Sequence, residues 1–417
     1  MSKGKKKEKR GRQGTKRLRQ RIFYSILVCL IYRLGQYIPL PFTGGLVWGE
    51  RDLTGFYPFI QSILGTSLQE ASLLSLGLMP SMTAAIIVQM LSLSSTRPSS
   101  RISNEEKNRR IRALAFFISV IYAFVKVRGL ELVGTDDLST LEVQVLTGIG
   151  LTAGAMFVMW LGERNTQRGL GGVSLLVAVN IVSGIAQNIL RGEYMPEPGE
   201  GYYRIGIMAG YCVLIVLLCV FMEYSELRLP VLRVMIDSPM SGDSVLAIRL
   251  NPVGTIPVMY CMAFFTLPLY LIGFVRIFLP DNVFLAYLTS VLNLSNPIGL
   301  LVFLALFLIM TLGLAGLYIN PVEIAEDLKR AGDYIEGVHP GRETLGYVRR
   351  RLIRLSVVSW FVMGVAIGAP ILYAGLQEHA ANIYYLPMTI AILSGIWLGI
   401  LSEGRVLYTF DSYRPRL

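Results

Sequence analysis

The sequence predicts an all-α polytopic membrane protein. Three observations predict this class: 53% of the 417 residues are hydrophobic, only 16% are charged, and ten apolar stretches recur along the chain. Lipid offers no hydrogen-bond partner to the backbone, so an apolar stretch of about twenty residues is stable there as a helix. The ten predicted transmembrane helices are residues 22–40, 71–91, 111–127, 143–161, 173–190, 205–222, 252–275, 298–318, 355–374 and 383–401.

Lys and Arg residues fall mainly in every second gap between these spans. With the N-terminus inside, the inner segments carry 31 of the 39 Lys and Arg residues, the outer segments carry five, and Arg33, Arg112 and Lys126 lie within spans. Basic residues resist transfer across a bilayer, so this bias predicts that both termini are cytoplasmic. We expect a multi-pass protein of the plasma membrane.

Residues 1–21 form a basic cytoplasmic tail. The tail is low in complexity and holds eleven Lys and Arg residues, so we expect it to be disordered and to contact anionic membrane lipids. A ribosome is the alternative polyanionic partner for such a segment.

The ten spans divide into two halves of five, residues 22–190 and 205–417. An outer linker rich in Gly, Pro and Glu, residues 191–204, joins them. An odd number of spans in each half inverts the second half relative to the first. Inverted halves commonly place a pathway at their interface, which favours a channel or a transporter.

The longest outer gap, about residues 41–70, contains a semi-apolar run from Phe59 to Thr66 that is too short to span a membrane. Two interpretations fit: an interfacial helix, or a re-entrant segment that occludes a pore. The residues alone favour the interfacial helix.

Two inner gaps, residues 224–251 and 319–354, are long and charged, which favours docking surfaces over simple connections. The second gap predicts two helical pieces around a turn. Asn320 and Pro321 are typical of a helix start, and residues 337–341 interrupt the pattern before a basic helix begins.

The sequence predicts neither an enzyme nor a metal or cofactor site. Its two histidines, His339 and His379, lie outside the spans, and no protease, hydrolase or phosphate-binding motif is present. No Asp or Glu lies deep in any span, and this counts against an inverted-repeat solute transporter coupled to ions. A membrane scaffold without a pore would not need spans interrupted by Gly and Pro.

Five motifs, in order along nearly the whole chain, closely resemble those of the SecY/Sec61 protein-conducting channel family. The motifs are Arg33–Pro41, Leu76–Leu91, Met159–Ser174, Leu250–Val258, and Asn320–Lys329 followed by Gly337–Thr344. The resemblance implies a clamshell channel: two five-helix halves enclose an hourglass pore. It also implies a lateral opening to lipid between the second and third spans on one side and the seventh and eighth on the other.

The resemblance also assigns roles by motif position. A narrow apolar ring at the waist blocks ions and can spread around a passing chain. The implied ring residues are Leu78, Met82, Val177, Ile256 and Ile392. The implied plug is about residues 56–68, which reverses the preference for an interfacial helix, and includes Phe59, Ile60, Ile63, Leu64, Gly65 and Thr66. Gln89 is placed at the lateral gate. The implied motor-docking residues are Arg228, Arg233, His339, Arg342, Arg349 and Arg350.

The implied function is the pore-forming subunit of a translocase that conducts unfolded polypeptides. A cytosolic SecA-type motor ATPase would drive transport, and small SecE- and SecG-like membrane subunits would complete the complex. His339 departs from the Arg common in the family, and Leu386-Pro-Met-Thr replaces its Gly-Gly-Thr-Ser. These departures resemble the accessory SecY paralogue of Gram-positive bacteria, which exports glycosylated, serine-rich surface proteins. A general housekeeping SecY translocon is the alternative.

Overall fold

The protein is mostly helical in the part of the chain that the computed structural model describes. This part comprises residues 2–46, 72–94, 104–128, 130–132, 139–190, 192, 194, 203–233, 245–276, 279, 282–294, 296–376 and 382–413. The predicted plug and nearly all of the predicted outer linker lie outside the described residues.

The α-helices of the described ranges follow the predicted spans closely. They are α1 (Ser2–Gln36), α2 (Met79–Ser94), α3 (Asn104–Arg128), α4 (Thr140–Arg168), α5 (Gly172–Leu190), α6 (Tyr203–Tyr224), α7 (Ile256–Arg276), α8 (Val283–Val291), α9 (Pro297–Tyr318), α10 (Pro321–Ala331), α11 (Arg342–Leu376) and α12 (Leu386–Tyr413). A 3₁₀ turn, Asn382–Tyr385, precedes α12. Each predicted span overlaps one of these helices.

Seven helical segments of the described chain are long and apolar enough to cross a membrane. They include α4, α5, α6, α7, α9, α11 and α12. The other three predicted spans correspond to α1, α2 and α3. Of these, α2 has only 16 residues, and α1 and α3 begin with charged turns that lower their mean hydropathy.

The basic tail differs from expectation, because α1 begins at Ser2 and the tail continues the first helix. Lys, Arg, Gln and Glu are good helix formers, so high charge alone does not end a helix that an apolar segment extends. The 35 residues of α1 and of α11 each give a length of about 52 Å, well beyond the roughly 30 Å of a bilayer core. Both helices therefore extend past the membrane.

The chain is mostly helical, as predicted, and it also has two small antiparallel sheets that the sequence did not predict. After α1, β1 (Thr43–Leu46) pairs with β2 (Leu130–Leu132), which follows α3. In the inner gaps, β3 (Glu226–Arg233), β4 (Val245–Arg249) and β5 (Asp333–Ile335) form a sheet in the order β4-β3-β5. The prediction for the second inner gap missed β5 between its two helical pieces.

The inner sheet has one apolar face. Leu229, Ile248 and Ile335 are buried on this face, and they pack with Val348 and Leu352 of α11. Exposed residues alternate with buried ones along β4, which is the period expected of a half-buried strand. The sheet therefore joins the two inner gaps into one unit at the end of α11.

The first half, α1–α5, contacts the second half, α6–α12, along two seams. In the α7 seam, α2 and α3 pack against α7, and α2 also approaches α9. In the α12 seam, α1 and α5 pack against α12. One continuous cluster of buried apolar side chains extends through both halves, so the halves share a core.

Candidate functional site

Four of the five predicted ring residues are buried in the core that the two halves share. Leu78 precedes α2, Met82 lies in its first turn, Val177 lies in α5 and Ile392 lies in α12. All four are at most 4% exposed and belong to the same apolar cluster. Apolar side chains from both halves therefore fill the interior of the molecule at this level.

Ile256, the fifth predicted ring residue, is half-buried at the first position of α7. It packs against the apolar cluster between the β4-β3-β5 sheet and α11, and with Ile392 it lines a cavity of about 300 Å³. The start of α7 comes close to α12 because Gly395 has no side chain: a Cβ there would overlap Thr255 Oγ1. The structure thus brings Ile256 and Ile392 to one cavity, whereas Leu78, Met82 and Val177 do not line it.

This cavity lies between the ends of several helices, and both polar and apolar side chains contribute to its lining. Arg249 of β4 forms an ion pair with Glu223 at the end of α6, and Glu403 of α12 adds a second carboxylate. Asn251 Nδ2 donates to the carbonyl oxygen of Gly254 at 3.0 Å, while its buried Oδ1 has no hydrogen-bond partner among the described residues. This partly polar cavity therefore adjoins the apolar interior.

The turn between α4 and α5 is held by a buried polar network. Asn165 Nδ2 donates to the carbonyl oxygens of Leu170 at 3.0 Å and Gly172 at 2.8 Å. Ser25 Oγ of α1 accepts from the backbone N–H of Leu170 at 2.8 Å and donates to Asn165 Oδ1 at 2.9 Å. The first half thus fixes this turn with short hydrogen bonds.

The same turn also contacts the second half. The backbone N–H of Gly171 donates to Glu403 Oε2 at 2.8 Å. A hydrogen bond to a carboxylate is stronger than one between neutral groups. Glu403 therefore fastens the α12 seam next to the cavity.

Aromatic side chains close much of the α7 seam. The rings of Tyr122 and Tyr270 stack with centroids 4.2 Å apart, and those of Phe124 and Phe274 lie 5.6 Å apart. These pairs join α3 of the first half to α7 of the second. Tyr122 and Tyr270 are both buried, so the stack lies inside the seam.

Gln89, the predicted gate residue, also lies at the α7 seam. Its Nε2 donates to Tyr260 Oη of α7 across a distance of 3.4 Å. Its Oε1 is buried and has no hydrogen-bond partner among the described residues. A single long hydrogen bond next to an unsatisfied buried oxygen stabilises the contact between α2 and α7 only weakly.

Sequence reasoning missed several of these contacts. Lys126 is a basic residue inside an apolar run, and this signal could have singled it out; it is buried and donates to the carbonyl oxygen of Ser75 at 3.4 Å. Ser25 and Glu403 carry no such signal, because each resembles an ordinary helix residue until its partner is known.

The predicted docking residues lie on the inner unit formed by the sheet and α11. Arg228, His339, Arg342, Arg349 and Arg350 are all exposed. Arg233 ends β3, and nothing is described of its side chain. Pairing of β3 with β5 brings the two inner gaps together, and Thr344 Oγ1 donates to the carbonyl oxygen of His339 at 2.9 Å, fixing the turn before α11.

Comparison with known proteins places the chain in a family. Residues 72–400 match the family model described as SecY. The chain belongs to the SecY family. The accessory Sec system protein translocase subunit SecY2 of Streptococcus pneumoniae serotype 4 is 29% identical, over 94% of this chain and 96% of that protein. The protein translocase subunit SecY of Halalkalibacterium halodurans is 27% identical, over 95% and 96% respectively.

A solved structure described as "The structure of a protein conducting channel" shares the fold. Its TM-score is 0.62 at 19% identity, and the match covers 94% of this chain and 93% of that one. Family membership confirms the resemblance that the five motifs carry, and with it a multi-pass membrane protein.

Proposed function

We propose that this chain is the pore-forming subunit of a protein translocase in the plasma membrane. The observation that carries the proposal is the buried apolar cluster contributed by both halves, next to the partly polar cavity that Glu223, Arg249 and Glu403 help to line. An apolar constriction excludes water and ions while it is closed. The polar groups of the adjoining cavity can receive a hydrated, unfolded polypeptide before it reaches that constriction.

In this proposal ten helices span the membrane as two inverted halves in a clamshell, with both termini in the cytoplasm. Leu78, Met82, Val177, Ile256 and Ile392 form the ring. The α7 seam serves as the lateral gate, because an apolar segment of a substrate can replace its aromatic contacts without leaving buried charges unpaired. The chain performs no chemical step, and a partner motor supplies the work.

The ring is tested by substitution and by electrical recording in planar bilayers. Ile392→Asn and Met82→Asn hydrate the constriction, and we expect each to raise the ion conductance of the substrate-free channel. Ile392→Val keeps the site apolar and should conduct like the parent protein. Equal conductance of the Asn and Val variants would show that these side chains do not form the constriction.

The plug is proposed for residues 56–68, which include Phe59, Ile60, Ile63, Leu64, Gly65 and Thr66. Deletion of this segment should leave the protein folded and raise ion leak. A deletion variant that folds and shows no added leak would argue for an interfacial helix instead.

The exposed inner unit is proposed as the docking site of a cytosolic SecA-type motor. Because α11 extends beyond the bilayer core, it presents Arg342, Arg349 and Arg350 to the cytosol. Arg342→Glu combined with Arg349→Glu should reduce motor binding to the solubilised channel, whereas Arg110→Glu, at an exposed position of α3, should not. His339→Ala should have a smaller effect, since a neutral imidazole contributes less than a charged guanidinium. Undiminished motor binding by the double variant would place the docking site elsewhere.

An apolar groove is proposed to hold the transmembrane helix of a small SecE-like subunit. The groove has a volume of about 620 Å³ and lies between α5, α6 and α12, with Val179, Val216 and Trp397 in its lining. Val216→Trp should fill the groove and reduce co-purification of the small subunit. Leu214→Trp, at an exposed position of α6 outside the lining, is the matched control.

The accessory subtype and its glycosylated, serine-rich substrates are also proposed. The departures at His339 and Leu386 support it, and one of the relatives named above is an accessory subunit. Identification of proteins that co-purify with the channel from native membranes tests the assignment. Recovery of a dedicated second motor favours the accessory system, and growth rescue of cells depleted of their general SecY favours the housekeeping alternative.

A further inference from the structure

The short helix α8 exposes three large apolar side chains on one face. Val283, Phe284 and Tyr287 are 81%, 65% and 61% exposed. Residues three and four positions apart share a helix face, and Tyr287 lies three positions after Phe284 and four after Val283, so these three form one apolar patch. Leu285 points to the other side and is buried against the protein. Sequence reasoning treated this region as an outer gap.

No charged residue interrupts this part of the chain: residues 282–318 contain no Asp, Glu, Lys or Arg. The hydroxyl groups of α8 are satisfied within the helix, because Thr289 Oγ1 donates to the carbonyl oxygen of Leu285 and Ser290 Oγ to that of Tyr287. The Asn282 side chain accepts from the backbone N–H of Phe284 and caps the helix. The helix is therefore suited to a medium of low polarity.

The helix is closely attached to the start of α9. A Cβ on Gly299 would overlap the carbonyl oxygens of Val291 and Asn293, so only glycine permits this approach. The Asn296 side chain, which caps α9, also donates to the carbonyl oxygen of Ser290 at 3.3 Å. Through these contacts α8 is fixed to the end of α9.

The apolar patch of α8 continues the exposed apolar surfaces of the two long helices that it connects. Leu279, after α7, is 52% exposed, and Ile298 and Leu301 of α9 are 53% and 68% exposed. Because α7 and α9 are both long and apolar enough to cross the bilayer, α8 lies at the edge of its hydrocarbon layer. An exposed apolar patch of this kind marks a surface that contacts a membrane or another protein.

We propose that α8 is an interfacial helix whose Val283, Phe284 and Tyr287 side chains are inserted into the outer leaflet of the bilayer. Its partner is lipid at the boundary of headgroups and acyl chains. Because α8 is fixed to α9, the outer end of α9 is anchored in the outer leaflet. The leaflet assignment rests on the proposed orientation, whereas contact with lipid does not depend on polypeptide conduction.

The test uses spin labels in the full-length protein in liposomes. Cys29, Cys212, Cys219 and Cys261 are first replaced by Ala, and Phe284→Cys or Tyr287→Cys is then labelled. Collision with oxygen and with a water-soluble nickel chelate reports the depth of the label. We expect depths of about 5–10 Å below the phosphates at both positions, as for an interfacial apolar face.

Two matched positions calibrate the measurement. Leu301→Cys, on the exposed apolar surface of α9, reports hydrocarbon, and Thr140→Cys, in the exposed first turn of α4, reports water. Accessibility to nickel at Phe284 equal to that at Thr140 would overturn the proposal. Loss of access to both oxygen and nickel would also overturn it, because the patch would then be covered by protein. Neither result depends on a motor or a substrate, so it is separate from any failure of export.

A second variant tests the attachment. Gly299→Ala forces α8 away from α9 and should change the depth of a Phe284 label while that of a Leu301 label stays constant. Gly316→Ala, where a Cβ meets no neighbouring atom, should change neither depth. An unchanged Phe284 label in Gly299→Ala would show that α9 does not hold α8.

Discussion

The two seams between the halves are closed by different kinds of contact. In the α7 seam, Tyr122 stacks on Tyr270, and one hydrogen bond of 3.4 Å joins Gln89 to Tyr260. In the α12 seam, Glu403 accepts a 2.8 Å hydrogen bond from the turn that Asn165 holds. Apolar contacts are non-directional, so an apolar segment can replace them, whereas a hydrogen bond to a carboxylate is lost when its geometry changes. We therefore expect the α7 seam to open while the α12 seam holds.

The largest expected effect comes from a disulfide across the α7 seam. A Cβ on Gly273 of α7 would lie 3.4 Å from Val125 Cγ1 of α3, which is compatible with a disulfide between Val125→Cys and Gly273→Cys in the cysteine-free protein. Oxidation should reduce export into proteoliposomes to background, and a reductant should restore it.

The matched control is a disulfide within the first half. A Cβ on Gly148 of α4 would lie 3.9 Å from Val127 Cγ2 of α3, so Val127→Cys with Gly148→Cys links the same residue types without crossing the seam. This variant should export equally well oxidised and reduced. Full export through the oxidised Val125–Gly273 variant would mean that the α7 seam does not open.

The next largest effect is expected at the turn beside the α12 seam. Asn165→Ala leaves the carbonyl oxygens of Leu170 and Gly172 without this donor, and each unsatisfied buried group costs about 1–3 kcal/mol. Thermal unfolding in detergent should show a clear loss of stability. Thr166→Ala removes only a hydroxyl that forms a hydrogen bond within its own helix, so it should lower the midpoint of thermal unfolding less than Asn165→Ala does. Equal midpoints for the two variants would contradict a fastening role of Asn165.

The sequence predicts most of the helices that form the two seams, but it does not predict which residues meet across them, for physical reasons. Length and apolarity predict a helix at each apolar stretch, and the resemblance places Gln89 at the lateral gate, where it contacts α7. Pairing across long separations is not visible in a chain pattern: Glu403 meets Gly171 across 232 residues. The inner sheet was missed because β5 has only three residues and its partner strand lies in another gap.

A smaller effect is expected for the aromatic stack. Aromatic pairs contribute about 0.5–1.5 kcal/mol beyond the area that they bury. In a double-mutant cycle, the coupling free energy between Tyr122→Leu and Tyr270→Leu should therefore lie in that range. The loss should favour the open channel and raise its conductance by roughly two- to tenfold. The cycle is measured by conductance in planar bilayers. The same cycle on Phe157 and Trp160, an exposed stacked pair on α4, should leave conductance unchanged. Additive effects of the two Tyr substitutions would remove the stack as a closing contact.

The smallest effect is expected at Gln89, and its sign distinguishes the seams further. Gln89→Leu removes one long hydrogen bond to Tyr260, and it also removes a buried Oε1 that has no hydrogen-bond partner among the described residues. Loss of an unsatisfied buried oxygen is stabilising, while a 3.4 Å hydrogen bond contributes little, so the closed state should gain up to about 1 kcal/mol. Export of substrates with weakly apolar signal segments should then fall by several-fold, while strongly apolar segments still pass.

Glu403→Leu, at the α12 seam, should destabilise the protein instead. It removes a strong hydrogen-bond acceptor from the Gly171 N–H, so the midpoint of thermal unfolding should fall. If Gln89→Leu instead raised conductance, the hydrogen bond to Tyr260 would hold the gate closed, and polar contacts would fasten both seams.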